Sequence, residues 1–280
     1  MTETAAVNPP VLPSPTWFVG CGNMAGAMVD GWRLAGVDLS NAVAIRPSGK
    51  PVEGMRTVSA MADAGPAPKL AILGIKPQKL DEVAPEFAQR LDEETVVVSI
   101  LAGVEASTLR GRFLRARSIV RAMPNLPVAV RRGLIALYSD DADDALRRQL
   151  SELAVQLGYA MWTPTEATFG AIGSVAGAGP AYVARFIAAL AKAGQQRGLT
   201  ETLAATIALE TVLGTAWMAA TTRESMDEVA RRVASPAGTT EAGLAVLDRE
   251  GVLDALVAVT IDAAARRAME LAEEAETQSS

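Results

Sequence analysis

Trp17-Phe18-Val19-Gly20-Cys21-Gly22-Asn23-Met24-Ala25 carries a short apolar run into a glycine-punctuated turn and then into a helical stretch, Met24–Leu34. The turn is a GxGxxG/A arrangement with Ala25 in the third place. The first glycine permits a tight turn, and the second lets backbone approach a pyrophosphate. A helix N-terminus adds unpaired N–H donors and a positive dipole end. Glycine turns between strands and helices are common, so the surroundings decide. Downstream, β-like runs at Ala42–Ile45, Leu70–Gly74, Val96–Ile100, Ile119–Ala122, Leu134–Tyr138 and Ala160–Trp162 alternate with amphipathic segments at Leu80–Arg90 and Ala142–Leu157. Short, almost wholly apolar strands alternating with helices predict a parallel sheet covered on both faces. The turn stands at its first strand–helix junction, where a dinucleotide binds.

The end of the second strand bears on which dinucleotide. Asp or Glu there suits the ribose hydroxyls of NAD. This chain has Arg46-Pro47-Ser48 with Lys50 close behind, a cation and hydroxyl suited to a 2′-phosphate. Arg46 as a plain loop charge is the alternative, and NADPH is favoured over NADH. Gly74-Ile75-Lys76-Pro77 and Ser99–Val104, which includes Ala102 and Gly103, are further strand ends on the ligand-collecting side. Lys76 is read either as solvent-facing or as a cofactor contact. Arg121–Pro127 is a third such junction, punctuated by two prolines.

After Thr163-Pro164 the pattern changes to Ala-rich helical stretches, at about Glu166–Ala176, Ala181–Gln196, Glu201–Thr221, Met226–Val233, Glu241–Arg249 and Asp254–Glu273. Thr200 precedes one as a cap, and Ser225 with Glu228 forms a capping box. Several are apolar nearly all round, which demands burial within the domain or against a partner subunit. A homodimer or larger assembly is expected. Gly173–Pro180, dense in small residues, suits either tight packing or ligand contact. Ser235-Pro236-Ala237-Gly238-Thr239-Thr240 precedes the helix near Glu241 and reads equally as an anion pocket or as a helix cap.

The 280 residues are half apolar, with 26 basic and 32 acidic side chains and a net charge of −6. The arginine pairs are scattered among acids, so no nucleic-acid surface is expected. One cysteine, Cys21, excludes an internal disulfide and suits a reducing compartment. No stretch reaches about 18 apolar residues without a charge, so no membrane span is expected. The first 15 residues lack a signal peptide's features and read as a Pro-rich disordered tail. The expected location is cytoplasmic. There is no histidine, which excludes Ser-His-Asp and Cys-His machinery and a histidine metal site; no metal is expected. The expected division is a tail over 1–15, a Rossmann-type α/β domain over 16–164, and an all-α substrate and dimerisation domain over 165–280.

Taken together and in order, these segments resemble pyrroline-5-carboxylate reductase. The family's GCGNM turn is Gly20–Met24, its VKP stretch Ile75–Pro77, and its SIxAGV strand end Ser99–Val104. RAMPN is Arg121–Asn125, SGxGPAY is Ala176–Tyr182, and SPxGTT is Ser235–Thr240. The resemblance runs from about Thr16 to Ala272. Leu126, Ala176, Ala178 and Ala237 depart from the commoner residues, and the segment between Arg46 and Leu70 is short.

The resemblance implies an NADPH-dependent reduction of L-1-pyrroline-5-carboxylate to L-proline, the last step of proline biosynthesis, with NADH less favoured. It implies a homodimer, with rings of dimers up to a decamer, and an active site built from both subunits. Cofactor binding is expected at the motif residues Gly20, Cys21, Gly22, Asn23, Met24, Ile75, Lys76, Pro77, Ala102 and Gly103, together with Arg46 and Ser48 read from the strand end. The resemblance gives Thr240 the hydrogen bond to the imine nitrogen. Ser235, Gly238, Thr239 and Thr240 then hold the carboxylate. A 3-hydroxyacid dehydrogenase needs Lys and Asn where this chain has Val183 and Ile187, so that rival lacks its acid–base group. A reductase of a six-membered ring and a non-catalytic NADP-binding protein are the other readings.

Overall fold

The computed structural model describes residues 10–277. The chain divides into two compact units, Met1–Ala178 with Ala265–Ser280, and Gly179–Ala264.

The first unit is a sheet flanked by helices. In chain order it contains β1 (Thr16–Val19), α1 (Asn23–Leu34), β2 (Ala42–Ile45), β3 (Arg56–Val58), β4 (Leu70–Leu73), α2 (Leu80–Arg90), β5 (Val96–Ser99) and α3 (Ala106–Arg112). There follow β6 (Ser118–Pro124), β7 (Gly133–Tyr138), α4 (Asp144–Ala154), β8 (Gly158–Trp162) and α5 (Glu166–Ile172), which runs into a π-helical segment, Gly173–Gly177. The eight strands lie in the order β3-β2-β1-β4-β5-β6-β7-β8.

Every residue of β1, β2, β4 and β5 is buried, and alternation sends successive side chains to opposite faces. Phe18, Ala44, Ile72 and Val98 pack with Met28 and Trp32 of α1 and Leu150 and Leu153 of α4. Trp17, Val19, Leu73 and Val97 pack on the other face with Phe87 of α2 and Leu109 of α3. Each such side chain contributes about 1.5–3 kcal/mol by leaving water. The buried Trp32 indole also donates to the Leu153 carbonyl at 2.9 Å, tying α1 to α4.

The pairing is parallel from β3 through β6, but β7 runs antiparallel to β6, and β8 parallel to β7. The expected parallel sheet is thus present, and the single reversal at β7 goes beyond what apolar runs can signal, because they carry no information on direction. β3 and α3 were not expected. β3 is three residues at the sheet edge, and α3 is a seven-residue helix with only Ala106 and Leu109 buried. Of the expected tail, residues 1–9 lie outside the described residues. Leu12 is buried in the core, and the Pro15 carbonyl accepts from the Lys69 amide at 2.9 Å.

The second unit contains α6 (Gly179–Gln196), α7 (Glu201–Thr222), α8 (Met226–Val233) and α9 (Thr239–Leu247); α10 (Val252–Thr277) begins in it. Ala191 of α6 packs on Ala204 and Ala208 of α7. Thr200 caps α7, and the Ser225–Glu228 capping box is formed at α8. Large apolar side chains remain exposed in the single chain, among them Phe186 on α6, Leu209 and Leu213 on α7, and Leu256 on α10. By length and composition alone, Glu166–Gln196 and Glu201–Thr222 are apolar enough to cross a membrane, which the sequence reading did not expect. Arg185, Lys192 and Glu210 interrupt them.

Candidate active site

The strand order reverses beside β1, since the chain moves outward to β2 and β3 and then returns on the other side as β4. In such sheets ligands collect in the crevice beyond the carboxyl ends of the strands at that switch. Gly20 closes β1 there with φ +81°, its amide donating to the Ile45 carbonyl at 3.0 Å. A β-carbon on Gly20 would lie 2.8 Å from Ile75 Cγ2 and 2.9 Å from the Gly74 carbonyl oxygen. Glycine is therefore required by the fold at this position.

Gly22 differs. It is the N-cap of α1, in an extended conformation open to any residue, and a β-carbon there would meet nothing within 4 Å. No side chain caps α1, and no acid occupies its first turn. Its first amides are therefore left without a side-chain cap at the positive end of the helix, an arrangement suited to a pyrophosphate. Asn23 is exposed and Met24 half-buried beside it. Cys21 is buried, and its thiol is pushed above its ordinary value by that burial, with the Arg46 charge pulling the other way. It stays protonated and serves packing.

At the end of β2, the Arg46 amide donates to the Val58 carbonyl and its guanidinium to the Lys50 carbonyl at 3.1 Å. Ser48 Oγ accepts from the Lys50 amide at 3.3 Å. Arg46, Ser48 and Lys50 thus share one small turn, and no ion pair among the described residues engages Arg46. Beyond β4, Ile75 seals Gly20, Lys76 is exposed, and Pro77 opens a short 3-10 turn. Beyond β5, Ala102 is exposed and Gly103 adopts φ +74°. The structure brings these predicted residues to one edge of the sheet.

In the second unit, Gly238 is the N-cap of α9 and no side chain caps it. Thr239 and Thr240 are already helical, so neither hydroxyl serves as the cap that the sequence allowed, and the helix starts two residues before Glu241. Thr240 is half-buried and Thr239 exposed. A β-carbon on Gly238 would fall 2.3 Å from Ser235 Oγ, and its amide already donates to the Ser235 carbonyl at 2.9 Å. Ala237 takes φ +56°, the left-handed conformation that favours glycine, and its amide donates to Glu241 Oε2 at 2.6 Å.

Sequence reasoning gave no role to Arg121, Asn125 and Glu166. Arg121 is buried in β6 and paired with Glu166 at 2.6 Å. Asn125 Nδ2 donates to the Ala176 carbonyl at 3.2 Å, and its Oδ1 accepts from the Leu134 amide at 2.8 Å. A charge within an apolar strand was the available signal, since a buried charge needs a partner.

The pattern described as pyrroline-5-carboxylate reductase dimerisation matches residues 166–271, and that described as NADP oxidoreductase, coenzyme F420-dependent, matches 17–103. A pyrroline-5-carboxylate reductase of Pseudomonas aeruginosa is 34% identical over 92% of this chain and 96% of its own length. The chain belongs to the pyrroline-5-carboxylate reductase family. One from Synechocystis sp. is 38% identical over 72% of this chain and 75% of its own. The solved pyrroline-5-carboxylate reductase of Coxiella burnetii is 31% identical and superposes with a TM-score of 0.84, covering 93% of this chain and 99% of that one. In this family the helical half is the dimerisation region, which accounts for the apolar side chains exposed on α6 and α7.

Proposed function

We propose that the chain reduces L-1-pyrroline-5-carboxylate to L-proline with NADPH. The observation that carries this reading is the occurrence, along one chain of this family, of two helix starts that have glycine at the N-cap and no side-chain cap. One is at Gly22 after β1, the other at Gly238-Thr239-Thr240. Residues 16–164 form the dinucleotide-binding domain and 165–280 the substrate and dimerisation domain.

The Gly22-Asn23-Met24 backbone receives the pyrophosphate, and Gly20 and Cys21 hold the turn in shape. Arg46 and Ser48 receive the 2′-phosphate, which makes NADPH preferred over NADH. Ile75, Lys76, Pro77, Ala102 and Gly103 line the remaining half. When bound, NADPH supplies the hydride from nicotinamide C4 to the imine carbon.

The chain's own residues orient the substrate. The Thr239 and Thr240 amides at the positive end of α9 hold the carboxylate, with the Ser235 hydroxyl beside them. Gly238 contributes mainly shape, because its amide is already engaged by Ser235. The Thr240 hydroxyl donates to the ring nitrogen. A strong acid is unnecessary, because this donor polarises the neutral imine and stabilises the charge that builds on nitrogen as hydride reaches carbon, with water supplying the amine proton; positioning and aimed dipoles suffice. The enzyme works as a homodimer, assembled further into a decameric ring of dimers, in the cytoplasm and without a membrane or nucleic-acid partner.

Thr240→Val tests the assignment, since it keeps shape and deletes the donor. A lost bond to a group that is gaining charge costs about 1.5–3 kcal/mol, or roughly 10- to 150-fold in rate at about 1.4 kcal/mol per decade. Turnover should fall with NADPH affinity unchanged. Thr239→Val, which removes no cap, should retain turnover. Wild-type turnover in Thr240→Val would leave Thr240 without its role.

A further inference from the structure

Arg121 is charged, its side chain is 8% exposed, and apart from Ser118 the rest of its strand is apolar. It pairs in register with Ser99, the last residue of β5, and with Tyr138 of β7. Its guanidinium donates to Glu166 Oε1 at 2.6 Å and lies 4.5 Å over the ring of buried Phe169. The same Glu166 oxygen accepts the Ala106 amide at 2.8 Å. One carboxylate oxygen therefore fastens β6, the first residue of α3 and the first turn of α5.

Buried ion pairs contribute little net stability, because desolvation offsets attraction, but breaking one is costly and the pair holds a defined arrangement. What this pair ties directly is the far end of the segment 100–105, whose Leu101 and Val104 are themselves buried in the core. Its near end is fixed by the Ile100 amide donating to the Leu73 carbonyl at 3.1 Å. Its far end is fixed by the Ala106 amide on Glu166. Between these two ties lie exposed Ala102 and half-buried Gly103. Asn125, four residues further along the chain from Arg121, adds a separate tie to the π-helical segment through the Ala176 carbonyl.

We infer that the Arg121–Glu166 pair positions the 100–105 segment, and through it the backbone of Ala102 and Gly103 against the nicotinamide half of the cofactor. This rests on the cofactor reading given above. Neither side chain touches the reacting atoms; both are positioning residues. Because the pyrophosphate and 2′-phosphate contacts lie at β1 and β2, releasing the pair disturbs alignment far more than affinity. A displacement on the order of 1 Å at a reacting centre can cost about 100-fold in rate.

The test compares the full-length wild type with Glu166→Ala, Glu166→Gln and the double variant Arg121→Met/Glu166→Gln. Hydrogen exchange at the 102–106 amides is measured without cofactor, NADPH affinity by fluorescence titration, and turnover with pyrroline-5-carboxylate. Glu166→Ala should speed exchange at 102–106 selectively, lower kcat about 10- to 100-fold, and change the NADPH Kd less than about 3-fold. Glu166→Gln keeps an acceptor for Ala106 and should recover most of both losses. If Glu166→Ala does not fold, the double variant leaves no buried charge unpaired. Its introduced glutamine can still accept from Ala106 but has lost the guanidinium that anchors it to β6, so it should still lower kcat at least about 5-fold. A folded variant with wild-type exchange and turnover, even at a lower melting temperature, would overturn the proposal and leave the pair structural. Failure of the cofactor reading would show separately, as wild-type NADPH affinity in Gly22→Ala.

Discussion

Replacing Gly22 with Ala separates a glycine kept for its ligand from one kept for the fold. The φ of −84° and ψ of −156° at Gly22 suit alanine, and the added methyl meets no heavy atom within 4 Å. Alanine is a poorer N-cap than glycine by about 0.5–1 kcal/mol. It also restricts the unfolded chain, which returns about 0.4–1 kcal/mol. The two nearly cancel, so at roughly 2–4 °C per kcal/mol the melting temperature should stay within about 3 °C of wild type.

Cofactor affinity should not survive so well. The methyl projects into the open space before the first amides of α1. Displacing one phosphate oxygen from one amide loses a charge-assisted bond of about 1.5–3 kcal/mol. That is about 10- to 150-fold in Kd. Gly20→Ala is the counterpart: left-handed backbone strains alanine by about 1–2 kcal/mol, and its methyl would press on the Gly74 carbonyl at 2.9 Å. It should destabilise the cofactor-free protein by about 2–4 kcal/mol. Thermal melts without cofactor and NADPH titrations on both variants decide the matter. Wild-type NADPH affinity in Gly22→Ala would refute the reasoning, because the open cradle would then hold no pyrophosphate.

Arg46→Asp should weaken NADPH at least about 10-fold relative to NADH, read as the ratio of kcat/KM values, since it sets like charge against the 2′-phosphate; an unchanged ratio would make Arg46 a loop charge. Leu213→Arg, at a side chain 56% exposed in the single chain, should shift sedimentation from dimer or larger towards monomer at low micromolar concentration, and an unchanged species would place the interface elsewhere. Asp141 is partly buried, which raises its pKa, but bonds from Ser118, Arg110 and Ser139 outweigh this and hold it below its ordinary 3.8. A depressed carboxylate contributes stability above its unfolded value that is lost as pH falls through the folded one. Asp141→Asn should therefore flatten the loss of stability below about pH 4, as read from denaturant midpoints against pH.

The sheet was legible where both faces are buried. β1, β2, β4 and β5 are short, nearly unbroken apolar runs, and only that environment selects such runs. β3 escaped because an edge strand reading Arg56-Thr57-Val58 has one side open and no pattern to show. The reversal between β6 and β7 escaped because side-chain chemistry is the same for either strand direction. The cofactor turn was legible through its glycines, although the sequence could not tell Gly20, closed against Gly74, from Gly22, open to a ligand. At the second helix start the sequence left cap and anion pocket open. Gly238 as N-cap removes Thr239 and Thr240 from capping duty. Glu166 stayed invisible because its partners Arg121 and Ala106 are 45 and 60 residues away along the chain, and only the fold brings them to one oxygen.

The central claim is the reaction itself. Purified protein, NADPH and L-1-pyrroline-5-carboxylate, followed at the nicotinamide absorbance band with proline quantified, test it directly. The account predicts NADPH oxidation that depends on the imine, yields one proline per NADPH consumed, and collapses in Thr240→Val. NADPH that binds but is not oxidised in the presence of the imine would contradict it.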